Sequence, residues 1–161
     1  MFKKSSKQPV SRNCFVCGVE NHNGLKMTFY NDDEAQVVWS ELVVPDYFNG
    51  YPGVVHGGIV ATILDETSGR ALLQYGDDDN LMLTTHMQIK YRKPTPTSQT
   101  LFAVGWMVRD SRGRAQVASE IRLADGTVTA ECKSIVVNPP AAFLKTHNWS
   151  EEKPFWKVRE D

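Results

Sequence analysis

The chain is poor in cysteine, nearly balanced in charge and without a long apolar run. Three cysteines in 161 residues are too few, and odd in number, for a disulfide framework, so stability has to come from hydrophobic burial. A formal net charge of -1 gives no general attraction to phosphate polymers or anionic lipid, and no local basic patch restores one. Neither nucleic acid nor a membrane is therefore expected as a partner. No apolar stretch reaches the roughly 20 residues that span a bilayer. Residues 1–13 are basic and lack an apolar signal core, which predicts a flexible tail and a cytoplasmic protein. Internal repeats and low-complexity tracts are also missing.

What is present is an ordinary globular composition, 41% hydrophobic and 23% charged, at a length that suits one domain with a substantial core. The domain is placed at 14–138. Strand-like runs lie at Leu25 to Tyr30, Ala35 to Val44, Leu81 to Arg92, Gln99 to Arg109, Ala115 to Ala124 and Val128 to Asn138. An Asn31-Asp32-Asp33 turn separates the first two, and short turns of Pro, Asp and Gly join the last four, which forces antiparallel neighbours. Ala115, Val117, Ser119, Ile121 and Leu123 alternate with Gln116, Glu120 and Arg122, as in a sheet with one buried face. A single long helix is predicted from about His56 to Tyr75, capped by Gly76. The class is α+β, a curved antiparallel sheet covering one long apolar helix. Residues 139–161 form an extension whose Phe143, Leu144, Trp149, Phe155 and Trp156 are expected to dock on the domain or on a partner subunit.

The helix carries the most informative pattern. His56-Gly57-Gly58 opens it, and two glycines at a helix N-terminus leave backbone amides that suit negative charge. Asp65 and Glu66 then interrupt a buried run, and a carboxylate there is costly unless partnered or kept for chemistry. Asp65 shares a small-residue face with Gly58, Ala61 or Thr62, and Ser68 or Gly69. It reads equally as a reacting acid or as a structural one bonded to backbone or Arg70. Glu66 points roughly 100° away and reads as exposed or ion-paired. His56 can cap the helix, orient the entering loop or donate to a substrate oxygen.

The sequence Phe48-Asn49-Gly50-Tyr51-Pro52-Gly53, the His56-Gly57-Gly58 turn with Asp65 nine positions after the His, and Thr84-Thr85-His86-Met87-Gln88-Ile89-Lys90-Tyr91-Arg92-Lys93-Pro94 together resemble the hotdog-fold acyl-CoA thioesterases. Within them the chain is most similar to the PaaI-type (phenylacetyl-CoA) and thioesterase-superfamily-member branch, over about residues 14 to 138. Cys14-Phe15-Val16-Cys17-Gly18 with Asn21 and Gly24-Leu25 resembles the start of many members. The resemblance implies a hotdog fold that hydrolyses acyl-CoA without a cofactor. It assigns Gly57 as the amide that polarises the thioester carbonyl, Asp65 as general base or nucleophile, and Thr84 as the hydroxyl that positions water or the acid. Thr85 is the adjacent alternative, since neighbouring strand residues face opposite ways. Some relatives place an Asn six residues before the His; Gly50 stands there, with Asn49 one place earlier, and His56 is the other candidate for that contribution. Gly58, Asn49 and Thr85 are taken with the substrate-binding residues. Arg92 and Lys93 at a strand end, and Arg109, Arg112 and Arg114 around a turn, are candidates to meet the phosphates of coenzyme A.

Cys14 and Cys17 have the spacing of half a zinc site, with His22 nearby, but no second pair exists and no metal is expected. Two other functions fit the same fold: an acyl-CoA-binding domain without turnover, and a hydratase or dehydratase, whose His with Asp or Glu pairing is not evident. Gly57 and Asp65 lie eight residues apart, roughly 12 Å along a helix, so one thioester cannot reach both. A homodimer with antiparallel helices and shared sites is therefore expected, or a dimer of such dimers.

Overall fold

The structure, a computed structural model, describes residues 2–75, 81–147 and 149–160, except for the Trp149 side chain. Seven strands make one antiparallel sheet: β1 (Ser6–Lys7), β2 (Tyr30–Asp32), β3 (Val37–Val43), then β6 (Leu83–Tyr91), β7 (Thr100–Ser111), β8 (Arg114–Leu123) and β9 (Val128–Val137). Between β3 and β6 come a small hairpin of β4 (Asn49–Tyr51) and β5 (Val54–Val55), and the helix α1 (Gly57–Arg70). The order across the sheet is β1-β2-β3-β7-β8-β9-β6. Beyond it lie two short helices, α2 (Ala141–Thr146) and α3 (Trp149–Glu152). Among the described residues no helix is long and apolar enough to cross a membrane.

The hotdog architecture expected from the sequence is the one observed, a single dominant helix laid on a multistranded antiparallel sheet. Its core is made by Val60, Ile63 and Leu64 from α1 against Leu101, Val117 and Ile121 from the sheet. On β8 the alternation reads as expected at Ala115, Val117, Ser119 and Ile121, which are all buried. The helix approaches closest at β7. A Cβ placed on Gly105 would lie 2.3 Å from the carbonyl oxygen of Thr67, so no larger residue fits without displacing backbone. Gly105 is paired across the ladder with Ser119, whose hydroxyl donates to the Leu64 carbonyl at 2.7 Å. Backbone contact on one strand and a hydrogen bond from the next fix the height and the roll of α1.

Three expectations are corrected. Leu25 to Phe29 is not a strand; Leu25 and Met27 donate their amides to Phe15 and Val16, so the segment is a loop tied to the preceding turn. The hairpin pairs Tyr30–Asp32 with Val37–Trp39, and Asp32, expected inside the turn, instead accepts from the amides of Glu34 and Ala35. That side chain moves the turn to residues 33–36. The segment before Cys14, expected as a flexible tail, supplies an edge strand, with Ser6 opposite Asn31 and Lys7 opposite Tyr30. Buried Gln8 explains why: its amide nitrogen donates to Asn31 Oδ1 at 2.7 Å and to the Arg70 carbonyl at 3.1 Å, meeting one of the free acceptors at the end of α1. The helix itself stops at Arg70, followed by a 3-10 turn at Leu73–Tyr75; Gly76 lies outside the described residues. In the extension Trp156 packs on the core, Lys157 bridges to Val10 and Phe155 lies under the Arg12 guanidinium.

Gly105→Ala should cost about 2 to 3 kcal/mol, as overpacking against a fixed backbone does. Ser119→Ala should cost about 1 kcal/mol, because the Leu64 carbonyl loses only its second hydrogen bond. Denaturant midpoints check the order; equal losses would place the constraint elsewhere.

Candidate active site

The chain enters α1 from the β4–β5 hairpin, held by His56 N donating to the Phe48 carbonyl at 2.9 Å and Val55 N to the Thr95 carbonyl at 2.8 Å. His56 is the N-cap: its Nδ1 accepts from Gly58 N at 3.0 Å. With Nδ1 as acceptor, a neutral His56 carries its proton on Nε2. Of the first-turn amides, Ile59 and Val60 both donate to the His56 carbonyl and Gly58 is taken by the cap. The Gly57 N–H has no acceptor among the described residues. A hydroxyl that sequence reasoning missed holds the same residue by its next peptide group, Tyr91 donating to the Gly57 carbonyl at 2.9 Å. Its only signal is its place before Arg92 and Lys93 in the strand end. Gly57 and His56 line a cleft of about 680 Å³ together with Tyr51, Tyr91, Arg92 and Lys93.

Asp65 lies two helical turns further on, half-buried, and accepts from Thr84 Oγ1 at 2.8 Å. Burial pushes its carboxyl above the ordinary aspartate value, the Thr84 hydrogen bond opposes this, and the Glu66 charge adds to the rise. Arg70 does not reach Asp65; its Nε donates to Glu66 Oε1 at 2.9 Å, so Glu66 is the ion-paired acid. Asp65 and Thr84 line a second cleft, of about 310 Å³, with Gly69, Leu81, Met82 and Trp156.

Thr84 owes its place to a bulge. Thr84 pairs with Val136 and His86 with Ile135, so Thr85 is an extra residue in β6. Strict alternation would put Thr85, not Thr84, on the face of Met87, Ile89 and Tyr91. The extra residue reverses this, and Thr85 Oγ1 donates instead to the Ile135 carbonyl at 3.2 Å.

The remaining candidates divide between the two ends of the sheet. Arg92 donates to Glu131 at 2.6 Å and, with Lys93, borders the Gly57 cleft. Arg114 opens β8 opposite Val137, which pairs with Leu83, so Arg114 and the adjacent turn residue Arg112 belong to the Asp65 end. Arg109 follows a bulge in β7 and pairs with Gln116. Asn49 is turned to Asp46, with Nδ2 at 3.4 Å from its carboxylate, and does not line the Gly57 cleft. Gly50 does, with the His56 ring packed so close that a Cβ there would lie 3.3 Å from it. The fold thus joins His56 to Gly57 and Asp65 to Thr84, and keeps the two pairs apart. Among the described residues one cluster of Cys, His, Asp and Glu side chains could hold a cation: Cys14, Cys17 and Glu66.

A long helix capped by His-Gly-Gly on a curved antiparallel sheet, with an acid in its middle, defines the hotdog class. The chain is similar to the thioesterase superfamily. The model of the thioesterase superfamily matches residues 52–130, from the hairpin through α1 to β9. The chain is 32% identical over 96 residues to acyl-coenzyme A thioesterase THEM4 of Rattus norvegicus, across 59% of this chain and 39% of that protein. The crystal structure of a thioesterase superfamily protein superimposes with a TM-score of 0.72 at 27% identity, over 80% of this chain and 62% of the other. A Streptococcus mutans protein, solved bound to acetyl CoA, gives 0.57 at 24% identity, over 63% of this chain and 80% of its own. The chain thus spans about two fifths of the rat relative's length.

Thr84→Val removes the hydroxyl that favours the charged carboxylate and leaves burial unopposed, so the Asp65 carboxyl should titrate at higher pH than in the native chain. Thr84→Ser should leave it in place, and Thr85→Val should not move it. Carboxyl-carbon NMR titration reads this directly; a Thr84→Val variant that titrates like the native chain would detach Thr84 from Asp65.

Proposed function

We propose that the chain hydrolyses acyl-CoA thioesters to the free acid and CoA, in active sites that two copies of it build together. One observation carries the reading. The unengaged Gly57 amide and the Thr84-bound Asp65 carboxylate are the parts thioester hydrolysis needs, yet they sit in separate clefts, roughly 12 Å apart along one helix. A two-fold axis that sets two such helices antiparallel brings Gly57 of one copy to Asp65 of the other and makes two identical sites. The open side of β6 supports the pairing: this nine-residue strand bonds to β9 alone among the described residues, and an edge of that length is normally covered. The same axis brings Arg92 and Lys93 of one copy towards Arg112 and Arg114 of the other, a basic rim suited to the phosphates of coenzyme A. That a protein of this fold was solved with acetyl CoA bound agrees with the substrate class.

In this reading attack on the thioester carbonyl places negative charge on its oxygen. The Gly57 amide, pre-aimed by the capped helix end, stabilises that charge by roughly 3 to 4 kcal/mol, and Nε2 of His56 is the neighbouring donor. Asp65, oriented by Thr84, either takes a proton from the attacking water or attacks the carbonyl itself to give a mixed anhydride that water then cleaves. CoA leaves as the thiol.

Asp65→Asn should retain the fold and acyl-CoA binding while thiol release falls at least about a hundredfold; Glu66→Gln should still turn over. Saturable acyl-CoA binding by the native chain with no thiol release would make this a binding module. Mixing Asp65→Ala with Gly57→Val subunits should restore one sound site per mixed dimer. With statistical exchange, half the dimers are mixed and each has one of two sites, so about a quarter of native activity should return. No recovery after proven exchange would put both residues in a site within one chain.

A further inference from the structure

The segment before the loop at Leu25 makes a tight thiol-bearing turn against the outer side of α1. In Cys14-Phe15-Val16-Cys17-Gly18 the Gly18 amide donates to the Cys14 carbonyl at 2.8 Å, and the Val16 amide donates to Cys14 Sγ at 3.3 Å. Ser11 closes the turn from the other side, its Oγ accepting from Cys14 N at 3.0 Å and lying 3.7 Å from Cys17 Sγ. A Cβ on Gly18 would stand 2.4 Å from the Cys14 carbonyl oxygen, so the turn needs glycine there. Both thiols are free, and both face a carboxylate: one ligand atom each from Cys14, Cys17 and Glu66 lie within 4.8 Å of one another, with Cys14 Sγ 3.9 Å from Glu66 Oε2.

This is a poor environment for three anionic groups and a good one for a soft divalent cation between them. Arg70, itself buried, engages Oε1 of Glu66 and leaves Oε2 on the thiol side. Two thiolates and one carboxylate carry three negative charges; a divalent ion and the Arg70 guanidinium carry three positive ones, so the loaded cluster is neutral. With metal–sulfur bonds near 2.3 Å and metal–oxygen bonds of about 2.0 to 2.2 Å, a tetrahedral ion holds sulfur and oxygen about 3.6 Å apart. The Cys14 Sγ to Glu66 Oε2 spacing of 3.9 Å needs a few tenths of an ångström of closure. The amide bonded to Cys14 Sγ supplies the outer hydrogen bond that metal-bound thiolates usually keep. Calcium and magnesium are disfavoured, since they take oxygen ligands.

We propose that Cys14, Cys17 and Glu66 form a zinc-type site. Three protein ligands leave the fourth position to water or an exogenous donor, and a cleft of about 500 Å³ borders all three, lined also by Ser11, Leu81 and Trp156. Leu81, Glu66 and Trp156 line the Asp65 cleft as well, so the open position looks onto ground shared with the candidate active site. The ion would also clamp the N-terminal turn to α1, and its binding energy would add to folding. Spacing alone gave half a site, with His22 the only nearby addition; the fold brings the third ligand from Glu66, 49 residues beyond Cys17.

The test is cobalt(II) titration of the full chain, stripped by chelator and kept reduced. One equivalent should produce a thiolate-to-cobalt charge-transfer band with tetrahedral d–d bands, zinc(II) should displace it, and the melting temperature should rise with either ion. Cys14→Ser and Cys17→Ser should each lose most of the charge-transfer intensity while Cys132→Ser retains it. Glu66→Gln, checked for native circular dichroism, should keep the band but bind at least tenfold more weakly. The absence of a band in the folded, reduced native chain would overturn the site, as would a band that survives both cysteine substitutions or unchanged affinity in Glu66→Gln. Formation of a Cys14–Cys17 disulfide under the same reducing conditions would overturn it in favour of a redox pair.

Discussion

The place of α1 on the sheet is the constraint from which the rest follows. With Gly105 against the Thr67 carbonyl and Ser119 bonded to the Leu64 carbonyl, the helix can neither lift nor roll, and each of its faces meets a fixed neighbour. One is β6, which receives Asp65 at Thr84 and Gly57 at Tyr91. Another is the N-terminal segment, where Cys14 meets Glu66 and the Pro9 carbonyl accepts from Arg70. A functional side chain on a helix is only as well placed as the helix axis, and here that axis is set by backbone contact, the least compressible kind.

Much of this was legible in the chain, for identifiable reasons. The helix start was announced by His56-Gly57-Gly58, because capping chemistry is local, and the four long strands after it by turns too short for any crossover. The β8 face was legible at Ala115, Val117, Ser119 and Ile121, since a one-sided sheet writes its burial with period two. What escaped depended on contacts distant in sequence. The segment before Cys14 looked like a tail because its composition is polar, but Gln8 is there to bond Asn31 and the end of α1. The first hairpin shifted because Asp32 turned its carboxylate onto the next amides.

The choice between Thr84 and Thr85 shows the limit most clearly. Alternation, counted back from Tyr91, favours Thr85; the bulge in β6 inserts one residue and gives the helix face to Thr84. Nothing in the local composition marks that insertion. It is fixed by the registry of β6 with β9, and it sits at the one point of the strand where a hydroxyl meets the carboxylate of α1. Tyr91 is a quieter case: its hydroxyl donates to the Gly57 carbonyl and its ring lies where a Cβ on Gly57 would touch it, so it braces the residue whose own amide has no acceptor among the described residues.

Adjacent acids on a half-buried helix should each raise the cost of charging the other. The fold resolves this by turning them, about 100° apart, into different surroundings. Glu66 lies against a guanidinium on one side and two thiols on the other. Asp65 has one hydroxyl, no cation within bonding distance among the described residues, and a carboxyl held above its usual range first of all by burial. A carboxylate so placed is under-solvated and singly oriented, which makes it more basic and aims it, whereas one clamped by arginine would be neither. Arg70, by taking Glu66 rather than Asp65, is therefore what leaves the Asp65 carboxylate to its one hydroxyl. The separation of two consecutive residues into an ion-paired acid and a poised one is a property of the packed helix, not of either side chain.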